Sequence, residues 1–256
     1  YSARLITVRS GVRSPPFPLK FILNNAIPKQ SSSNKVHIRF FFCIRLLFLY
    51  FTDDSNYLNM KILIVSGTPG TGKTTVSKNL LNCFKAKVIS LNELAISEKL
   101  IINYDTERET SVINEKKLVR YVIKSIEHYK KLDLEFLIIE SHFSDIVPKQ
   151  YIDYVVILRC DPDELCIRLK ERGYKKEKIR ENVQSEILGN SANYFLNKQV
   201  NKPILELDTT NNSIDVITKT LIGILTGKVD MNEFIIGKID WLEKISQEDR
   251  LQVFFD

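Results

Sequence analysis

Ile62-Leu63-Ile64-Val65-Ser66-Gly67-Thr68-Pro69-Gly70-Thr71-Gly72-Lys73-Thr74-Thr75 is the stretch on which the fold turns. Its first four residues are apolar without alternation, the pattern of a strand buried on both faces of a parallel sheet. The residues after them keep the spacing G-x-x-x-x-G-K-[S/T], a Walker A loop. Such a loop bends so that backbone N–H groups point into one concavity, and the helix that follows adds its positive dipole end. Lys73 is placed to reach β- and γ-phosphates, and the Thr74 hydroxyl to ligate Mg²⁺. Val76, Leu80 and Leu81 give that helix an apolar side. A glycine-rich β-turn outside a nucleotide site has no use for three glycines, a lysine and a threonine in register. The stretch implies a nucleoside triphosphate site.

Outward from it, strands and helices alternate. Lys87-Val88-Ile89-Ser90, Phe136-Leu137-Ile138-Ile139, Tyr154-Val155-Val156-Ile157-Leu158 and Pro203-Ile204-Leu205-Glu206-Leu207 read as further buried strands. Asn114 can cap a helix in which Leu118, Val122 and Ile126 recur at helical spacing. Asp161-Pro162-Asp163-Glu164 has an N-cap acid, proline at the first helical position and glutamate at the third, and that helix should stop at Gly173. Another is expected over roughly residues 177–196, and Ile214, Ile217, Leu221 and Ile224 line a last one. Short connections and buried strands predict an α/β P-loop NTPase fold, a five-stranded parallel sheet with helices on both faces. Phosphates belong at the carboxyl end of its first strand.

Charge separates the chain into parts. Of 37 basic and 31 acidic residues, residues 1–59 hold eight and two, which leaves 29 of each sign in the remainder. The basic excess therefore says nothing about the domain. The same 59 residues contain half of the eight prolines and a polar Gln30-Ser31-Ser32-Ser33-Asn34 run, a composition that predicts disorder. Their apolar segment, residues 38–51, is broken by Arg39 and Arg45 and is short of the roughly 20 residues a bilayer span needs. The first methionine is Met60. Residues 1–59 accordingly read as a disordered basic extension or as upstream sequence with Met60 the true start. A targeting or membrane-surface extension and a basic arm for nucleic acid remain as alternatives. Residues 60–230 make one α/β domain and residues 231–256 a C-terminal helical tail. The cysteines lack C-x-x-C spacing and look like thiols of a reducing cytosol.

Several side chains are candidates for chemistry at the phosphates. Glu140 in Ile138-Ile139-Glu140-Ser141-His142 ends a buried strand as a Walker B acid would, either holding Mg²⁺ through water or acting as base for an attacking water; an ordinary strand-end acid is the plain alternative. An extended strand through Ser141 would put Glu140 and His142 on one side, although His142 taken alone reads equally as a histidine satisfied locally. Arg168 and Arg172 lie one turn apart, and Arg172-Gly173-Tyr174 with the charged residues 175–180 suits a short lid, residues 171–181, that brings cations to a transferring phosphoryl group. A solvated charged face is the alternative there. The polar segment 91–113 is where an acceptor lid would be inserted, and it reads equally as a partner surface. Asp208-Thr209-Thr210-Asn211-Asn212 is a loop that can pass over an adenine ring.

Together these motifs resemble the family of adenylate kinase isoenzyme 6, an atypical nucleoside monophosphate kinase of archaea and eukaryotic nuclei. The likeness is carried by Gly67 to Thr75, by Tyr104-Asp105 and its acidic neighbours, by Glu140-Ser141-His142, by Val156-Ile157-Leu158-Arg159-Cys160 and Glu171-Arg172-Gly173-Tyr174, and by Lys178 to Ile187. It covers about residues 60–225. The resemblance implies Mg²⁺-dependent phosphoryl transfer from ATP to AMP with intrinsic ATPase activity, and a role in maturation of the small ribosomal subunit beside a small-subunit ribosomal protein and the pre-ribosomal particle. It assigns Gly70, Gly72, Lys73, Thr74 and Thr75 to phosphates, Thr74 and Glu140 to Mg²⁺ (Glu140 via water), Arg172 to the lid, and the 91–113 segment to the monophosphate. Lys73, Glu140, His142 and Arg172 form the implied catalytic set. Two departures stand out. Eukaryotic members carry Asp where this chain has Glu140, and the Asp-Gly-Phe-Pro-Arg segment of ordinary adenylate kinases is missing after the third strand, which removes the usual arginine clamp on AMP. The tail Gly237-Lys238-Ile239-Asp240-Trp241-Leu242 looks archaeal and points to a cytoplasmic protein. A nucleotide-driven ribosome-assembly ATPase with little kinase activity is the competing function. No Asn-Lys-x-Asp guanine motif is present.

Overall fold

The computed structural model describes residues 3–6, 60–106 and 110–255. Five strands form one parallel sheet: β2 (Lys61–Gly67), β3 (Ala86–Ser90), β6 (Phe136–Glu140), β7 (Tyr154–Arg159) and β8 (Ile204–Asp208). Their spatial order is β3-β6-β2-β7-β8, so the strand before the Walker loop is central. Register places Val65 opposite Glu140 on one side and Gly67 opposite Leu158 on the other. The phosphate loop and the strand-end acid therefore emerge at the same level of the sheet.

Both faces are covered, which is why the central strands β2, β6 and β7 carry unbroken apolar runs instead of alternating. Ile62, Ile64, Leu137, Ile139, Val155 and Ile157 belong to one core. It is closed by α2 (Leu91–Ser97), α3 (Glu115–Tyr129) and α6 (Asn190–Asn197) through Leu91, Leu118, Val122, Ile126 and Phe195. The intervening strand positions Leu63, Val65, Ile138, Val156 and Leu158 face the other core, under α1 (Lys73–Leu80) and α7 (Ile214–Leu225). The expected Asn114 cap forms, with Oδ1 accepting from the Lys117 N–H at 3.1 Å. So does the Asp161 cap of α4 (Pro162–Glu171).

Three segments depart from expectation. The helix predicted over 177–196 is two helices, α5 (Lys176–Ile187) and α6, because Gly189 takes φ +61° between them. The Asn193 amide then donates to the Leu188 carbonyl, a cap the break requires. The polar segment 91–113, for which no elements were expected, is structured. It holds α2 and the antiparallel strands β4 (Ile101–Asp105) and β5 (Thr110–Asn114). Finally, β1 (Ala3–Ile6) pairs antiparallel with β5, where the composition predicts no order. The remainder of the extension, including the 38–51 apolar segment, lies outside the described residues. Among the described residues no helix is long and apolar enough to cross a membrane.

The tail is helical as expected, with α8 (Trp241–Gln247) and α9 (Leu251–Phe255). Ile245 and Phe254 complete a third apolar cluster with Leu165 and Leu169 of α4 and Ile179, Val183 and Ile187 of α5. The tail therefore packs against the two helices that flank the expected lid.

Candidate active site

Gly67 leaves β2 at φ +138°, and a Cβ there would stand 2.4 Å from the Leu158 carbonyl oxygen. Only glycine lets β2 turn this close to β7. Gly70 and Gly72 also have positive φ, at +102° and +95°. The loop they shape wraps around one carbonyl. Thr68 O accepts from the Thr71 hydroxyl at 2.9 Å and from the Lys73 ammonium at 2.9 Å. Gly72 caps α1 without a side chain, so the helix N-terminus meets the concavity bare, as an anion site requires.

Lys73 is 9% exposed. Burial is the main reason its ammonium is pushed down from 10.5 to about 8. Glu140 opposes that shift, the Arg172 guanidinium adds to it, and Glu186 opposes it. An amine in this state is short of negative charge, and a phosphate arriving beside it supplies what is missing.

Across from the lysine, the Thr74 hydroxyl donates to Glu140 Oε1 at 3.3 Å. Glu140 is buried at the end of β6. Two hard oxygen donors at one level suit Mg²⁺, which usually takes one or two protein ligands and shares the rest of its shell with phosphates and water. Among the described residues no three His, Cys, Asp or Glu side chains cluster as a metal cage.

The structure thus brings together Gly70, Gly72, Lys73, Thr74, Thr75 and Glu140, and it sets Arg172, at the C-terminal cap of α4, near enough to act on the Lys73 charge. His142 follows the end of β6. β6 ends at Glu140, and although the Ser141 N–H still pairs with Val65 O at 3.2 Å, His142 already lies in a turn. Its ring sits edge-on to Phe143 with centroids 4.9 Å apart. The Ser141 hydroxyl donates to Asn92 of α2 at 3.2 Å.

Arg168 is also not a free phosphate cation. Its guanidinium donates to Thr209 O at 2.6 Å, to Thr210 O at 3.0 Å and to Glu164 at 2.8 Å. It holds the loop after β8 in place.

Sequence reasoning missed a second set of residues under the loop. Glu186 of α5 accepts from the Thr68 hydroxyl at 2.5 Å, from Arg159 Nε at 2.7 Å and from the Cys160 N–H at 3.2 Å. Arg159 also bonds Glu206 at 2.5 Å and the Ile239 carbonyl at 3.2 Å. Glu206 in turn accepts from the Gly237 N–H at 2.9 Å. Burial alone would lower the Arg159 value, but the two glutamates outweigh it and raise it. A signal was present: Ile179, Asn182, Val183 and Glu186 follow helical spacing, so an acid stands in the buried stripe of α5.

A family model described as an AAA domain matches residues 63–189, from β2 to the Gly189 break. A protein of Methanocaldococcus jannaschii named "Putative adenylate kinase" is 35% identical over 182 residues, covering 71% of this chain and 93% of that protein. One of the same name from Methanosarcina barkeri is 39% identical over 188 residues, covering 71% of this chain and 97% of its own. The chain belongs to this archaeal adenylate kinase-like family. Its fold is that of a P-loop NTPase, and the family match spans the Walker loop, Glu140, Arg172 and Glu186 alike. A solved shikimate kinase from Bacteroides thetaiotaomicron is similar at 18% identity and a TM-score of 0.42, over 65% of this chain and 99% of that one.

Proposed function

We propose that this protein is a nucleoside monophosphate kinase that moves the γ-phosphoryl group of ATP to AMP, with water as a second acceptor. The observation that carries the reading is the Thr74–Glu140 pair facing a buried lysine of depressed basicity, beside a strand end tied to α2 of the acceptor segment. In the transfer an AMP phosphate oxygen attacks the γ-phosphorus. The bond from that phosphorus to the β,γ-bridging oxygen breaks, and two ADP result. Lys73 and Arg172 neutralise charge on the migrating group, and the loop N–H groups hold the β-phosphate. Thr74, and Glu140 through water, would hold Mg²⁺, which would supply neutralisation of phosphate charge.

ATP hydrolysis is the second reading, favoured by the missing Asp-Gly-Phe-Pro-Arg segment. Without an arginine clamp, AMP has less to fix it against the γ-phosphorus, and water competes better. The resemblance to adenylate kinase isoenzyme 6 extends this reading to a cytoplasmic assembly factor for the small ribosomal subunit. The deciding experiment counts products. With AMP present, two ADP per ATP consumed and no inorganic phosphate support the transferase. One ADP and one phosphate per ATP, unchanged by AMP, would replace it with an ATPase.

A further inference from the structure

The buried acid on α5 does more than neutralise an arginine. Glu186 is 1% exposed and has two carboxylate oxygens with different partners. Oε1 takes Arg159 Nε and the Cys160 N–H. Oε2 takes the hydroxyl of Thr68. Arg159 already has a second carboxylate, Glu206, at 2.5 Å, and its Nη2 also donates to the Glu186 main-chain carbonyl at 3.1 Å. The Oε2 contact is therefore a separate bond aimed at the phosphate loop. Its target matters, because the carbonyl of the same Thr68 is where the Lys73 ammonium and the Thr71 hydroxyl converge.

We propose that Glu186 is a positioning residue of the nucleotide site: from the helix that leads out of the lid it fixes Thr68, and through Thr68 it sets the carbonyl against which Lys73 rests. Glu186 touches no substrate in this arrangement and acts through the threonine. The inference rests on the reading of the Walker loop as an ATP site, and not on which acceptor is used. A charge-assisted hydrogen bond to a buried carboxylate is strong enough to choose one loop conformation over its neighbours. Misplacing a reacting group by about 1 Å can cost about 10²-fold in rate. The same contact joins α5 to the loop, so a shift of α5 as the lid moves is felt at Lys73.

The test uses the full chain with Thr68→Val, Thr68→Ser and Glu186→Gln. Thr68→Val keeps the shape and the Arg159–Glu186 pair but removes the hydroxyl. It is expected to weaken Mg-ATP binding about 10-fold and to lower turnover of ATP about 10–10²-fold. Thr68→Ser, which restores the hydroxyl, should recover most of that loss. Glu186→Gln, which also weakens the Arg159 pair, should lose at least as much as Thr68→Val, and the double variant should be little worse than Glu186→Gln alone, since the Thr68 contact is already weakened there. A role confined to packing would lower the unfolding midpoint and leave ATP affinity of the folded protein unchanged; that result overturns the proposal. Additive losses in the double variant overturn it as well. If Glu186→Gln fails to fold, the valine and serine variants still decide. If the wild-type protein binds ATP but makes no ADP from AMP, the transferase reading fails, and ATP affinity continues to judge the positioning role.

Discussion

Lys73 and Arg159 are both buried cations at the carboxyl end of the same parallel sheet, and the protein treats them in opposite ways. Arg159 meets two carboxylates and two carbonyls, and its basicity rises. Lys73 rests on a carbonyl with carboxylates near it but not bonded to it, and its basicity falls to about 8. Satisfied charge is scaffold, because nothing remains for a ligand to supply. Under-compensated buried charge is expensive to keep, and its cost is recovered only when an anion binds. The contrast separates the two sites without reference to any motif.

The largest effect expected from breaking this contrast is at Arg159. Arg159→Met leaves Glu186 and Glu206 buried and facing a side chain that cannot pair with them. Removing one partner from a buried ion network costs about 3–5 kcal/mol, so urea unfolding should show a loss of that size. A loss under about 1 kcal/mol would mean the network is wetter than its burial says.

Lys73→Ala should reverse the pattern. Turnover of ATP should fall about 10²–10³-fold, the scale for losing one preorganised charge contact in a transition state, while the fold survives. Stability at high pH gives a cleaner signature. Between about 8 and 10.5 the unfolded chain keeps the Lys73 proton while the native protein sheds it. The unfolded state then binds more protons, so wild-type stability gains from this group as pH rises through that window. Cys160, buried and pushed up to about 12, works in the other direction, so the informative quantity is wild type minus Lys73→Ala. A difference that stays flat across the window would refute the depressed lysine.

The two regions were unequally legible in the sequence. Apolar runs, glycines and the lysine–threonine pair are local signals, and they were enough to place β2, the loop, Glu140 and the helix caps. The ion network is non-local. Arg159, Glu186 and Glu206 are separated by 27 and 20 residues, and each ends or interrupts an apolar pattern in which a single charge reads as a boundary. The break at Gly189 was hidden because residues on both sides favour helix, and only the positive φ of Gly189 shows where the chain turns. The β4–β5 hairpin escaped because much of β4 is exposed and lacks a buried alternation.

Glu140 and His142 offer a smaller and more selective effect. Glu140→Gln keeps the geometry toward Thr74 but loses the charge. It should lower transfer to AMP and hydrolysis alike, by about 10²-fold. His142→Ala should lower hydrolysis by the larger factor, because AMP brings its own ionised nucleophile and water does not. Equal factors for both reactions would make His142 a support for the turn after β6.

The smallest effect tests whether pairing or burial gives Arg159 its weight. Lys244 of the tail is also paired, donating to Asp161 Oδ2 at 2.8 Å, but its side chain is 47% exposed. Exposed pairs are screened and are worth about 0.2–1 kcal/mol, so Lys244→Ala should lower the unfolding free energy from urea titration by no more than that. The pH dependence follows from Asp161. Burial favours its neutral form, but the Lys244 hydrogen bond and the N–H groups of α4 outweigh it and lower its value from 3.8. A carboxylate depressed on folding contributes stability above its unfolded value, and the contribution disappears as pH falls through the folded one. The gap between wild type and Lys244→Ala should therefore be present at neutral pH and close on acidification below 3.8. A gap that persists in acid would assign it to the Lys244 ammonium over the Trp241 ring, 5.5 Å from its centroid. A gap as large as that of Arg159→Met would show that pairing alone accounts for Arg159, and the distinction between satisfied scaffold and waiting site would then have to rest on Lys73 by itself.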